Sequence, residues 1–427
     1  MENTSARPLS DVSGAQKTQT GALITLTSLF FMWGFVTVLN DIVSPHLQSI
    51  FDLSYKQASL VQFAFFFAYF IFSIPAAKLI GATSYKTSIV VGLLTTGLGA
   101  FLFIPAASAA SYALFLGALM VLAAGITVLQ VAANPYVAVL GPPNTASSRL
   151  NLTQAFNSLG TTVGPWIGGM FILSTTAKSS DDLKLLSAQA LQAYKVEQAS
   201  SVKTPYLFIG LLLVALAMVI YFLQLPSIPE AQKKGRGPGV SLWKYRHLVL
   251  GVVGIFVYVG AEVSIGTFLI KYFHLHEIGD LPERQGAQLV AYYWGGAMIG
   301  RFIGSAILQK VKTGTVLGIS SFCACALVLT SMLTSGHVAM ASIILVGFFN
   351  SIMFPSIFTL GIANLGPLTG DGSGLLIMAI VGGAIIPLLQ GVVADHLGIH
   401  HAFFLPVVCY LYIVYYALRG SKPTVVA

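Results

Sequence analysis

Two carboxylates and one guanidinium stand inside otherwise apolar stretches of this chain. Asp41 closes the run "FMWGFVTVLND" (31–41), Glu262 lies within "YVGAEVSIG" (258–266) and Arg301 within "GRFIG" (300–304). A carboxylate withdrawn from water is unfavourable unless a proton, a cation or an opposite charge neutralises it, so ionisable groups at such depth mark ion or proton pathways by default. Asp41, Glu262 and Arg301 are therefore candidates for a coupling-ion site. The competing reading for Glu262 and Arg301 is a plain structural ion pair.

A second set of residues has the chemistry to hold hydroxyls. Gln130 and Asn134 are four residues apart, hence on one helical face, and Asn151, Gln154 and Asn157 follow at three-residue steps on another. An amide offers both donors and acceptors, as a polyol or sugar requires. Asn40, beside Asp41, and Asn350 extend the set, while Tyr258 and Trp294 supply aromatic faces for a sugar ring. Amides also join membrane helices by hydrogen bonds, and aromatics at such positions also serve as packing. The run "HLGIHH" (396–401) reads as a solvated loop rather than a metal site, and "TGDGSG" (369–374) as a short flexible connection, since it lacks the lysine of a phosphate loop. No nucleophile–base pair is recognisable, so no enzyme, cofactor or nucleic-acid function is expected.

These groups must be positioned by membrane helices. Of the 427 residues, 56% are hydrophobic and only 8% charged. About twelve apolar blocks, each of about 20 residues, are separated by the charges, which predicts an all-α membrane protein with twelve transmembrane helices. The polar stretch "LPSIPEAQKKGRGPGVSLWKYRH" divides them six and six. The expected units are a tail (1–21), a first six-helix bundle (22–225), a linker (226–246), a second bundle (247–419) and a short tail (420–427). With the N-terminus inside, 14 of the 22 Lys and Arg residues fall on the inner side, so both termini are expected in the cytoplasm. Cys323, Cys325 and Cys409 all fall inside expected helices, which argues against a disulfide framework.

The halves repeat one another. Gly160 and Pro165 are mirrored by Gly382 and Pro387, and Pro135 by Pro355. Asp41 and Glu262 take corresponding places in the first and seventh spans. Such duplication, with proline-interrupted helices in matching positions, predicts two pseudo-symmetric bundles around a midplane site.

The motifs "LNDI" (39–42), "QVAANPYVAVLGP" (130–142), "RLNLTQAFNSLG" (149–160), "YVGAEVSIG", "GRFIG" and "FPSIFTLGI" (354–362) resemble the fucose:proton symporter family of the major facilitator superfamily, and within it the bacterial glucose/galactose branch. The resemblance covers nearly the whole chain. It implies alternating access in the inner membrane, a monosaccharide carried together with a cation, Asp41 as the coupling acid, and Gln154 and Asn157 as sugar contacts. The fucose transporters so resembled have a second carboxylate where this chain has Gln130, a substitution that favours the glucose/galactose branch. Proton coupling is preferred and sodium remains the alternative; fucose, mannose or an amino sugar are alternative substrates. Two self-sufficient bundles lead us to expect a monomer.

Overall fold

A computed structural model describes residues 18–51, 55–172, 186–200, 202–225 and 241–423; the side chains of 39–51, 55–60, 166–172 and six positions between 188 and 199 fall outside the described set. Most of the expected tails and linker therefore lies outside the described residues. The first half comprises α1 (Thr20–Phe51), α2 (Tyr55–Ala82), α3 (Tyr85–Ser108), α4 (Tyr112–Val139), α5 (Ala146–Ile172), a short α6 (Ala188–Ser200) and α7 (Lys203–Phe222). The second comprises α8 (Arg246–Phe273), α9 (Glu283–Ile307), α10 (Thr313–Leu333), α11 (Gly336–Asn350), α12 (Met353–Gly361), α13 (Thr369–Met378), α14 (Gly382–Leu397), α15 (Ile399–Ala402) and α16 (Phe404–Tyr415). Ten helical stretches among the described residues are long and apolar enough to cross a membrane. The two remaining long helices, α5 and α9, carry Arg149, Asn151, Gln154 and Asn157, and Glu283, Arg284 and Arg301. Their hydropathy is lower because they pack against each other across the two halves and place polar groups in that seam.

The repeat is visible in how backbones approach. A Cβ on Gly160 would lie 2.2 Å from the Phe31 carbonyl oxygen, and one on Gly382 would lie 2.0 Å from that of Phe256. Thus α5 meets α1 as α14 meets α8, each through a glycine that no other residue could replace without moving a helix. This register corrects the expected equivalence of the two acids. Asp41 lies ten residues beyond Phe31, whereas Glu262 lies six beyond Phe256, so Asp41 falls about one helical turn further along.

One of the two helix interruptions follows proline chemistry. A proline inside a helix has no N–H and leaves the carbonyl four residues earlier without its usual partner. The tenth expected span breaks into α11 and α12 at Ser351–Ile352, just before Pro355, and the eleventh into α13 and α14 around 379–381. By contrast α4 runs unbroken through Pro135. Two expectations are corrected. "TGDGSG" is not a loose connection but the first turns of α13, where Gly374 lets the helix press on α2, a Cβ there falling 2.7 Å from that of Ala77. His400 is not freely solvated: its ring nitrogens pair at 3.0 Å with Glu277 Oε1 and at 3.0 Å with the Ser331 carbonyl, and its side chain is 14% exposed.

Replacing Gly382 by Val should lower the apparent unfolding temperature of the purified protein in detergent, an overpacking cost of about 1–3 kcal/mol or more. Gly117→Val, where a Cβ meets nothing within 4 Å, should leave it unchanged.

Candidate substrate and coupling site

Arg301, on α9, is the hub of the site. Its Nη2 lies 3.9 Å from Glu262 Oε1 on α8, its Nε donates to the Ser351 carbonyl at 3.3 Å, and its Nη1 donates to Ser158 Oγ on α5. The Ser351 carbonyl is the one Pro355 releases, so a sequence proline creates the acceptor that orients the guanidinium. The Arg301 backbone carbonyl accepts from Asn151 Nδ2 at 2.7 Å, so this residue joins the halves through both main chain and side chain. Glu262 has this loose ion pair with Arg301 and a polar contact with the Tyr258 side chain. Its Oε1 is buried and has no hydrogen-bond partner among the described residues. An oxygen in that condition is chemically ready to take a proton or to accept a ligand hydroxyl.

Behind the pair lies a closed cluster of one amide and three phenols. Asn350 donates through Nδ2 to the Tyr293 hydroxyl at 2.8 Å and accepts at Oδ1 from the Tyr410 hydroxyl at 2.7 Å, while its carbonyl accepts from the Tyr258 hydroxyl at 2.9 Å. The Tyr293 hydroxyl in turn donates to the Glu262 carbonyl at 3.4 Å. All four side chains are buried. Asn350 and Tyr258 thus set the wall on which Glu262 stands, whereas Trp294, 44% exposed and edge-on to Tyr293 at 5.0 Å, presents an open aromatic surface.

In the first half, Gln130 donates through Nε2 to the Tyr69 hydroxyl at 2.7 Å, and Asn157 donates to the Phe30 carbonyl at 2.9 Å. Asn134 is fully buried, with neither amide atom partnered among the described residues. Gln154 lies one turn from Ser158 on α5 and is largely buried. Asn40 and Asp41 belong to α1, but their side chains lie outside the described residues. The structure therefore brings Glu262, Arg301, Tyr258 and Asn350 into one continuous network, with Gln130 and Asn157 in separate contacts.

The halves are sealed at the end that carries the turns at 140–146 and 308–312. Ser147 Oγ bonds Thr359 Oγ1 at 2.6 Å and receives Thr313 Oγ1 at 2.9 Å, and Ser148 and Ser305 exchange hydroxyl-to-carbonyl bonds at 2.7 and 3.2 Å. Ser373 Oγ donates at 2.8 Å to the Val131 carbonyl, which is the one released by Pro135. The matching prolines thus each free a carbonyl that another helix claims, one across the halves and one within the second half. Buried Arg149 ties off the end of α4 by donating to the carbonyls of Val137, Ala138 and Pro142 at 2.5–3.2 Å. Sequence reasoning missed Tyr69, Ser158, Tyr410 and the seal. Serines and threonines in helices ordinarily bond their own carbonyl four residues back, as Thr27 and Thr127 do here, so residue type gave no signal.

Two glycine-braced helical halves joined by an arginine that contacts both, with hydroxyl bonds between them at one end, have the build of a membrane carrier. The chain belongs to the major facilitator superfamily, whose family model matches residues 22–380. It is a transporter of that superfamily, not an enzyme. A glucose/galactose transporter of Brucella abortus biovar 1 (strain 9-941) is 52% identical over 419 residues, covering 97% of this chain and 98% of that one. The L-fucose-proton symporter of Escherichia coli (strain K12) is 37% identical over 99% of this chain and 98% of that one. The crystal structure of the major facilitator transporter FucP in the outward conformation superposes with a TM-score of 0.88 at 37% identity, covering 94% of this chain and 99% of that one.

Asn350→Leu would strand the Tyr410 hydroxyl in the core and leave that of Tyr293 only its long bond to the Glu262 carbonyl, and should destabilise the protein by about 1–3 kcal/mol, read as apparent thermal unfolding in detergent. Ser147→Val combined with Ser148→Val should loosen the seal. Spin-label distances across that end should broaden toward longer values, while those at the opposite end shorten.

Proposed function

We propose that this protein carries a neutral hexose, glucose or galactose, together with a proton across the bacterial inner membrane. In this reading twelve helices span the bilayer, both termini are cytoplasmic and the monomer is the working unit. The single observation that carries it is the buried, incompletely bonded Glu262 carboxylate, held 3.9 Å from an arginine that bridges the two halves. The names of the relatives, a glucose/galactose transporter at 52% identity and an L-fucose-proton symporter at 37%, support the substrate class and the coupling ion.

The residues divide the work as follows. Asp41 is the coupling acid. While it is ionised and the site is empty, rocking the halves carries a bare charge across a barrier of low dielectric, which is unfavourable. Protonation and bound sugar lower that cost together, which is the thermodynamic content of symport. Gln154 and Asn157 on α5, with Asn40, Gln130 and Asn134 from the same half, contact sugar hydroxyls, and Glu262 accepts a hydroxyl from the other half while Trp294 covers the ring. Gln130, bonded to Tyr69, is uncharged, so the fourth span contributes no second acid.

Arg301 supplies the switch. It holds Glu262, Ser351 and Ser158 at once in the arrangement sealed at the linker end, and the contact with Ser158 must break when the halves rock the other way. The guanidinium is then free to pair more closely with a carboxylate. A sodium-coupled carrier, or one selective for fucose, mannose or an amino sugar, would use the same parts.

The test is uptake of radiolabelled glucose and galactose into proteoliposomes under a proton gradient, a sodium gradient or neither. Accumulation should require the proton gradient and vanish in Asp41→Asn while exchange survives. Accumulation under sodium alone would replace the ion, and no uptake of either sugar under any gradient would overturn the substrate. Glu262→Gln should raise the half-saturating sugar concentration by about tenfold or more, the loss expected for a hydrogen bond to a charged group.

A further inference from the structure

A groove outside the central site opens between the first half of α10 and the end of α16, where the chain widens into a π-turn over Tyr416–Gly420, closed by Ser421 N–H donating to the Tyr416 carbonyl at 2.8 Å. Its volume is about 860 Å³. The floor is made by Gly314 and Gly318: a Cβ on Gly314 would lie 3.3 Å from the Ala417 carbonyl oxygen and 3.9 Å from Ser421 Oγ, and one on Gly318 3.6 Å from the Ala417 Cβ and 3.7 Å from Leu418 Cδ2. The walls are Ile319, Phe322 and Leu418, and the mouth is formed by Lys312, Thr315 and Lys422. Phe322 is 66% exposed and Leu418 62%, so this surface is turned outward from the bundle toward the bilayer.

Among the described residues no carboxylate pairs with the charges at the mouth. Lys312 and Lys422 form no ion pair with any described residue, and Lys310 and Arg419 flank them. The sequence has no Asp or Glu between Glu283 and Asp371, and none beyond Asp395. An apolar slot at acyl depth with ammonium groups at headgroup depth is complementary to one class of molecule. Single snorkelling lysines need no slot, and a soluble anion would gain nothing from Phe322 and Leu418. π-Turns also recur where helices form binding surfaces.

We propose that this groove binds one anionic phospholipid of the linker-side leaflet, its phosphate between Lys312 and Lys422 with the Thr315 hydroxyl, and an acyl chain along Ile319, Phe322 and Leu418. The site is independent of the sugar pathway. It faces lipid, not the seam between the halves, and its occupant braces α10 against the final helix.

The experiment is native mass spectrometry of the full chain released from nanodiscs of mixed phosphatidylglycerol and phosphatidylcholine, with adduct retention read against collisional activation. The wild type should retain one phosphatidylglycerol in preference to phosphatidylcholine. Lys312→Gln combined with Lys422→Gln should lower that retention about tenfold or more, and Gly318→Phe, which fills the slot but keeps both charges, should lower it comparably. Lys78→Gln with Lys86→Gln, lysines at the same end outside the groove, should leave it unchanged. Retention unaffected by the double lysine variant, equal retention of phosphatidylcholine by the wild type, or equal loss in the Lys78/Lys86 control would each overturn the site. If Gly318→Phe fails to fold, the two lysine pairs decide the question between them.

Discussion

A guanidinium held inside a membrane bundle needs partners for a fork of five N–H donors. Arg301 finds a carboxylate from α8, a carbonyl released by Pro355 and a hydroxyl from the opposite half. The rest of the site is arranged around these contacts. Glu262 is held beside Arg301 without being consumed by it, and the Asn350 phenol cluster stiffens the wall behind. Ser158 makes the charge network depend on how the two halves are docked.

That dependence connects chemistry with motion. Contacts confined to one half, such as Asn350 with Tyr293 and Tyr410, can persist while the halves rock. Contacts across the seam cannot. Those of Ser147, Ser148 and Ser373 are hydroxyl bonds of modest individual strength. Gly160 and Gly382 let two helices within each half approach backbone to backbone, α5 on α1 and α14 on α8.

The prolines illustrate how local rules become tertiary function. Pro135 and Pro355 occupy matching places in the repeat, and each frees a carbonyl. One is claimed by Ser373 across the halves, the other by Arg301. Yet the backbone responds differently, since α4 passes through Pro135 unbroken while the tenth span breaks before Pro355. The proline pattern predicted an interruption in both halves, and the structure shows it before Pro355 and not at Pro135.

The sequence by itself determined the membrane class, the division into two repeated halves and the identity of Glu262 and Arg301 as depth-embedded charges. Composition, period and proline spacing are properties of the chain, and hydrocarbon permits few alternatives to helices. It left undecided which amide holds a neighbour and which is free. The tertiary structure engaged Asn151 and Asn157 with backbone carbonyls, left both atoms of Asn134 unpaired among the described residues, and recruited Tyr69, Tyr410 and Ser158, none of which stood out by type. It also moved Asp41 one turn beyond the place equivalent to Glu262. The reason is physical: hydrogen bonds between helices depend on register, rotation and sub-ångström approach. Those are fixed only when glycine contacts such as Gly160 on Phe31 and Gly382 on Phe256 set how closely two backbones meet.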